Sequence, residues 1–270
     1  MNSGTSFGGV RLGMSERRRV RIIARLDVKG EYVVNTFQLE GQRRVGRADD
    51  IALRYYRDGA DELIIVDQVA SLYQRGHLVD LTRMFAQNVF APLTVGGGVQ
   101  TVDEARTLLR SGADKVAINT AAIRRPELIT EISSLFGVQC VVVSVQAKRV
   151  ASAKWEAFCD GGRERTGRDV LEWVKEATER GAGEILVTSI DRDGTRQGFE
   201  LDLMSKVSSA VTVPVIASGG LGRPEHALEL LIGTGCEALA CADFFHVGRG
   251  TIDDVKRELA QEGFEVRLVN

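Results

Sequence analysis

The residues best suited to chemistry in this chain stand just past short apolar runs. Asp27 closes the run Val20–Val28, Asp67 follows Glu62–Val66, and Gln146 follows Val141–Val145. Thr188 ends another run and leads into Ser189-Ile-Asp-Arg-Asp193-Gly194-Thr195, which crowds two carboxylates and a glycine into one turn. A buried strand has no structural use for an ionised carboxylate. Asp27 and Asp67 are therefore candidates for acid–base work or ligand binding; as salt-bridge partners or helix caps they would serve the fold alone. Glycine-rich turns, Gly96-Gly97-Gly98 and Ser218-Gly219-Gly220, follow two more runs, and neither has the spacing of a dinucleotide fingerprint. Glycines let backbone N–H groups approach a phosphate, and a following helix N-terminus favours the anion. Each turn is followed by a further loop, Asn119-Thr120 in one case and Ala242-Asp243 in the other. A single Gly-rich turn is most simply a turn, but the doubled pattern builds two phosphate cradles. Gly98 with Asn119 and Thr120 forms one; Ser218 and Gly220 with Ala242 and Asp243 form the other. The arrangement predicts a substrate with a phosphate at each end.

These residues need a scaffold that gathers strand ends. Eight short apolar runs are expected as strands: Val20–Val28, Glu62–Val66, Pro92–Val95, Lys115–Ile118, Val141–Val145, Glu184–Thr188, Val213–Ala217 and Ala238–Ala240. Amphipathic stretches between them, such as Val102–Ser111, Arg168–Arg180 and Glu225–Ile232, are expected as helices. Open doubly wound sheets give similar strings but usually fewer strands. An internal repeat decides between the two. Gly59-Ala-Asp-Glu-Leu63 matches Gly181-Ala-Gly-Glu-Ile185, and Pro92–Gly98 matches Pro214–Gly220, both 122 residues on. Ile22–Asp27 matches Val141–Gln146, 119 residues on. A period of that length means two half-barrels of four βα units, hence a (β/α)₈ TIM barrel with its site at the C-terminal ends of the strands. One barrel domain is expected over residues 17–270. Residues 1–16, polar and Gly/Ser-rich, read as a disordered extension, with Met14 an alternative start.

Composition narrows the function further. The chain has 270 residues, 44% apolar and 27% charged, with a formal net charge of −2. Nothing global recruits nucleic acid or an anionic membrane, so an anionic substrate must be held by local donors. Cys140, Cys159, Cys236 and Cys241 lack zinc-type spacing and read as reduced thiols, mostly core filler. His77, His226 and His246 lie far apart, which argues against a histidine metal site. No metal or cofactor is expected. No stretch approaches membrane-spanning length, and a cytoplasmic protein is expected.

Several motifs together resemble the HisF family, the cyclase subunit of imidazole glycerol phosphate synthase. They are Leu26-Asp-Val-Lys29, Pro92-Leu-Thr-Val-Gly-Gly-Gly98, Gly112-Ala-Asp-Lys-Val-Ala-Ile-Asn-Thr-Ala121, Gly181–Thr195 and Pro214–Gly220. The resemblance runs from about Arg19 to Arg267 and implies a partner, a class I glutaminase of the HisH type that releases ammonia into the barrel. It implies a reaction in which ammonia helps split and cyclise a phosphoribulosyl-formimino bisphosphate to imidazole glycerol phosphate. Arg21, Glu62, Lys115 and Glu184 match the family's ring of alternating charges at the ammonia entrance, and Asp114 matches a glutaminase contact. Read without the resemblance, charges on that face serve stability.

The chain departs from the family at the mouth. Two aspartates, at the ends of strands 1 and 5, act there as general acid and base. Asp27 keeps the first and Gln146 replaces the second. An amide orients a ligand but does not exchange protons near neutral pH. Asn35 stands where the family has a lysine that reaches the substrate. Asp243 replaces a serine of the second cradle, where a bare carboxylate would repel a phosphate about 4 Å away by roughly 4 kcal/mol per charge pair. Three readings follow. In the first the chain is the HisF-type synthase. In the second it is a HisF-like paralogue that uses ammonia to amidate a nucleotide-linked sugar for surface polysaccharide. In the third it is a non-catalytic subunit that activates a glutaminase. The charged gate favours the first two, and the retained Asp27 argues against the third.

Overall fold

The structure is a computed structural model that describes residues 19–68 and 76–269. The expectation for residues 1–16 lies outside the described residues. Eight parallel strands close on themselves: β1 (Arg21–Lys29), β4 (Glu62–Asp67), β5 (Leu93–Gly96), β6 (Lys115–Ile118), β7 (Val141–Ala151), β10 (Glu184–Ser189), β11 (Val215–Ser218) and β12 (Ala238–Cys241). β12 pairs with β1, and β10 pairs with both β7 and β11, so no edge remains in the ring. This is the expected (β/α)₈ barrel.

The strand positions follow the expectation to within two residues at their starts. Two hairpins are additional. β2 (Tyr32–Phe37) and β3 (Glu40–Arg47) continue β1 in antiparallel pairing, while β8 (Lys154–Cys159) and β9 (Glu164–Asp169) do the same for β7. Tyr32 and Lys154 open their hairpins 122 residues apart, so the half-barrel repeat includes these flaps. The second hairpin also shortens an expected helix. Arg168 and Asp169 belong to β9, and α6 (Val170–Glu179) starts where the Asp169 carboxylate accepts from the N–H groups of Leu171 and Glu172.

Strand alternation sorts the side chains into two cores. Ile22, Ala24, Leu26 and Val28 of β1 face the helices and join the large outer core. Ile23, Ile64, Ala117, Val142, Leu186, Ile216, Ala238 and Ala240 form a separate cluster inside the ring. That plug, drawn from seven of the eight strands, separates the two ends of the barrel and makes its interior a packed core. Helices α3 (Val102–Arg110) and α10 (Ile252–Gln261) begin with reciprocal capping boxes, Thr101 with Glu104 and Thr251 with Asp254. Cys159, Cys236 and Cys241 are buried free thiols, and burial pushes Cys159 and Cys236 up to about 11. Among the described residues no helix is long and apolar enough to cross a membrane.

Candidate active site

The C-terminal ends of the strands carry the two cradles, and they differ greatly in size. The first opens into a cavity of about 370 Å³, which includes Asp67, Gly98, Asn119, Thr120 and Gln146 in its lining. The second, at Asp193, Gly194, Ser218, Gly220, Ala242 and Asp243, holds only about 20 Å³. Glycine is required in both turns. Gly97 has φ +100, and a Cβ there would lie 2.3 Å from the Asp67 carbonyl oxygen. Gly219 has φ +93, and its Cβ would lie 2.9 Å from the Ser189 carbonyl oxygen. In the first cradle the Asn119 amide donates to the carbonyls of Ser144 and Phe158, at 2.8 and 3.3 Å, and the Thr120 hydroxyl accepts from the Asp160 N–H at 3.0 Å. These bonds fasten the β6 loop to the β7–β8 hairpin and leave the cavity open.

The second cradle is closed by its own side chains. Arg196 donates to both oxygens of Asp243, at 2.5 and 2.9 Å, and the Asn35 amide donates to Asp243 Oδ1 at 2.6 Å. Two of the altered positions are therefore one structure, since Asn35 and Asp243 bond each other. Asp243 is not the bare charge expected from the sequence. Burial alone would raise its pKa, but the Arg196 and Asn35 bonds outweigh that and hold the carboxyl below the ordinary range. Arg196 itself has φ +64, a left-handed conformation uncommon for a residue with a side chain. Asp193, deeper in the same cradle, accepts from the Thr36 hydroxyl at 3.0 Å and the Leu39 N–H at 3.1 Å. Burial pushes its pKa up, against the pull of Arg25.

Between the cradles lies a residue the sequence reading passed over. Arg25 is 4% exposed and reaches across the ring. It donates to Asp27 on its own strand, to Thr188 on β10 at 2.8 Å and to Ser218 on β11 at 3.3 Å. Burial opposes its charge, but Asp27 and Asp193 overcome that, so it is a guanidinium. Asp27, 3% exposed, also accepts from the Gln68 amide at 2.7 Å. Arg25 and Gln68 line the large cavity and stand over Asp27. The signal for Arg25 was present: Arg21, Ile23, Arg25 and Asp27 alternate onto one face, and an arginine between Ala24 and Leu26 is as anomalous as Asp27. Arg196 and Gln68 gave no comparable signal, since each sits in a polar loop.

Near this mouth His246 stacks on Tyr55, whose hydroxyl lies 2.6 Å from His246 Nδ1. Burial pushes the imidazole down to about 4. The unfolded chain, at about 6.5, then binds the proton more tightly than the fold does. The stability that neutral His246 contributes is present above about 6.5 and is lost as pH falls toward 4. A His246→Gln variant should lose less stability between pH 7 and 4.5, by about 2 kcal/mol. Urea unfolding at both pH values measures it, and parallel losses would assign the acid sensitivity elsewhere.

The other end of the barrel carries the four charges in a closed ring. Arg21 lies 2.9 Å from both Glu62 and Glu184, and Lys115 lies 3.0 and 2.9 Å from the same two carboxylates. Thr94 donates to Glu62 at 2.6 Å. Asp114, beside Lys115, accepts from the Leu93 N–H at 2.8 Å. Among the described residues no cluster of three metal-ligating side chains forms.

The family described as "Histidine biosynthesis protein" matches residues 21–251. The chain is 55% identical over 206 residues to imidazole glycerol phosphate synthase subunit HisF of Legionella pneumophila, covering 76% of this chain and 97% of the relative. It is 47% identical over 248 residues to the subunit of that name from Bacillus cereus (strain ATCC 10987 / NRS 248), covering 92% and 98%. It is 46% identical over 248 residues to that of Thermococcus gammatolerans, with the same coverage. A barrel of two repeated halves, matched by that family over most of its length, belongs to the HisF family of histidine-biosynthesis proteins.

Proposed function

We propose that the chain is the synthase subunit of an imidazole glycerol phosphate synthase, an enzyme that uses ammonia released by a HisH-type glutaminase partner. The observation that carries the reading is the pairing, on one barrel axis, of an open anion cradle at the mouth with a ring of alternating charges at the opposite end. The relatives named as this subunit support it. In this reading Gly98, Asn119 and Thr120 hold one phosphate of the bisphosphate, and Asp27 is the remaining carboxylate of the acid–base pair. Asp67 lines the large cavity, and Thr188 and Ser218 hold Arg25 beside it. Arg21, Glu62, Lys115 and Glu184 form the ammonia gate, and Asp114 lies on the face that meets the glutaminase.

Ammonium-driven turnover of the phosphoribulosyl-formimino bisphosphate by the purified barrel, beside a Gln146→Asp variant, tests the reaction. Turnover by the wild type is the expected result. A folded but silent wild type, with activity gained by the variant, would reject the reading. The gate is tested separately. Lys115→Ala should change glutamine-driven turnover with the partner at least tenfold more than ammonium-driven turnover. Equal effects would mean that the ring only stabilises the fold.

A second reading is favoured by the closed cradle. With Asp243 held by Arg196 and Asn35 in a space of about 20 Å³, the acceptor would carry its anionic group at one end only. That fits a HisF-like paralogue that passes ammonia to a nucleotide-linked sugar.

A further inference from the structure

Two unmet hydrogen-bonding groups share the large cavity. A guanidinium has five N–H bonds. In Arg25 the Nε hydrogen and one Nη2 hydrogen go to Asp27 Oδ1, at 3.2 and 3.1 Å, and the Nη1 hydrogens go to Thr188 and Ser218. One Nη2 hydrogen remains, on a side chain that lines the cavity. Across from it, Gln146 lines the same cavity, and its Oε1, closed to solvent in the cavity wall, accepts no bond; rotation of the amide about its last bond would present it to the cavity. A buried acceptor left unmet carries its full desolvation cost, so such an atom in a cavity points to a ligand that meets it. The spare donor and the spare acceptor sit on different strands, β1 and β7, which the half-barrel repeat makes equivalent. Their complement is a ligand pair with one acceptor and one N–H donor. Ammonia adding to a ketone is such a pair.

We propose that Arg25 and Gln146 together form the addition site. Arg25 donates to the carbonyl oxygen of the acceptor, and Gln146 Oε1 accepts an N–H of ammonia and so aims its lone pair at the carbonyl carbon. The assignment rests on the imidazole glycerol phosphate synthase reading given above. In the step itself the nitrogen lone pair forms the C–N bond, and the π pair of the C=O bond moves onto oxygen. The growing negative charge is met by the Arg25 N–H, a donor already fixed in place before the charge develops. One proton passes from nitrogen to that oxygen through solvent water. The product is a neutral carbinolamine that keeps every atom of ammonia and ketone. Asp27 holds the guanidinium in place as its counter-ion, aided by Gln68. An amide at position 146 then has a use that a proton-transfer role does not give it.

The probe is ribulose 1,5-bisphosphate carrying ¹³C at its ketone carbon, bound in the absence of ammonia and read by isotope-edited infrared spectroscopy. On the wild type the carbonyl band should lie below its frequency in water, and Arg25→Met should return it to the water value or above. Arg25→Lys keeps a cation with its donors displaced, so it should give an intermediate band; this variant carries the test if Arg25→Met does not fold. Gln146→Leu should leave the band unchanged but raise the ammonium concentration for half-maximal turnover about tenfold, the worth of one hydrogen bond. An unshifted band on the liganded wild type, or an unaltered ammonium dependence in Gln146→Leu, overturns the proposal alone. A wild type that binds no ketose bisphosphate overturns the imidazole glycerol phosphate synthase reading and this proposal with it.

Discussion

Replacing Asp27 with asparagine is expected to lower ammonium-driven turnover of the bisphosphate by about 10²- to 10⁴-fold, the usual loss for one general acid or base. The effect belongs at the upper end, because Gln146 leaves no second carboxylate at the matching strand end. The variant also tests the buried pair. The asparagine side chain would keep an oxygen to accept from Arg25 and Gln68 but would remove the counter-charge from a guanidinium that is 4% exposed. Breaking such a pair costs about 3–5 kcal/mol when nothing compensates. Asp193, whose field also acts on Arg25, should reduce that cost. Turnover is therefore to be read beside a urea melt. A folded Asp27→Asn variant with near wild-type turnover would remove Asp27 from the chemistry and leave it as the anchor of Arg25.

Asp243→Ser is expected to tighten binding of the bisphosphate by about 10- to 100-fold, the worth of freeing one charged donor for the second phosphate. The variant removes the only carboxylate bonded to Arg196 among the described residues and leaves Asn35 beside a hydroxyl. A ligand with a single phosphate, seated in the first cradle, should bind the wild type and the variant alike. Combining Asp243→Ser with Arg196→Ala should cancel the gain, because the gain lies in the guanidinium. Titration calorimetry with both ligands reads all three proteins. If Asp243→Ser leaves the bisphosphate affinity unchanged, the Arg196–Asp243 pair does not compete with phosphate, and the closed cradle no longer favours a singly charged acceptor.

Much of this molecule was determined by sequence alone. Apolar runs that end in polar residues, the matches 122 residues apart, and glycines at positions needing positive φ specify a repeated barrel with its cradles at one mouth. They do so because strand alternation and backbone sterics act locally. The charges Arg21, Glu62, Lys115 and Glu184 were legible as well, since each opens a different strand and barrel closure must bring them together. The two hairpins were less so. β3 begins Glu40-Gly-Gln-Arg-Arg44 with little apolar signal, and it pairs only because β1 extends past the ring and offers β2 an edge.

The state of each cradle was decided only in three dimensions. Asn35, Arg196 and Asp243 are separated by up to 208 residues, and each by itself reads as a polar loop residue. Whether Asp243 repels a phosphate or is already neutralised depends on a cation that no spacing rule places beside it. Arg25 shows the same limit from the other side. Its position in the strand marks it as anomalous, but its partners Thr188 and Ser218 lie across the ring. A charge inside a closed barrel takes its meaning from strands distant in sequence, because the low-dielectric interior makes each pairing, and each missing partner, strong.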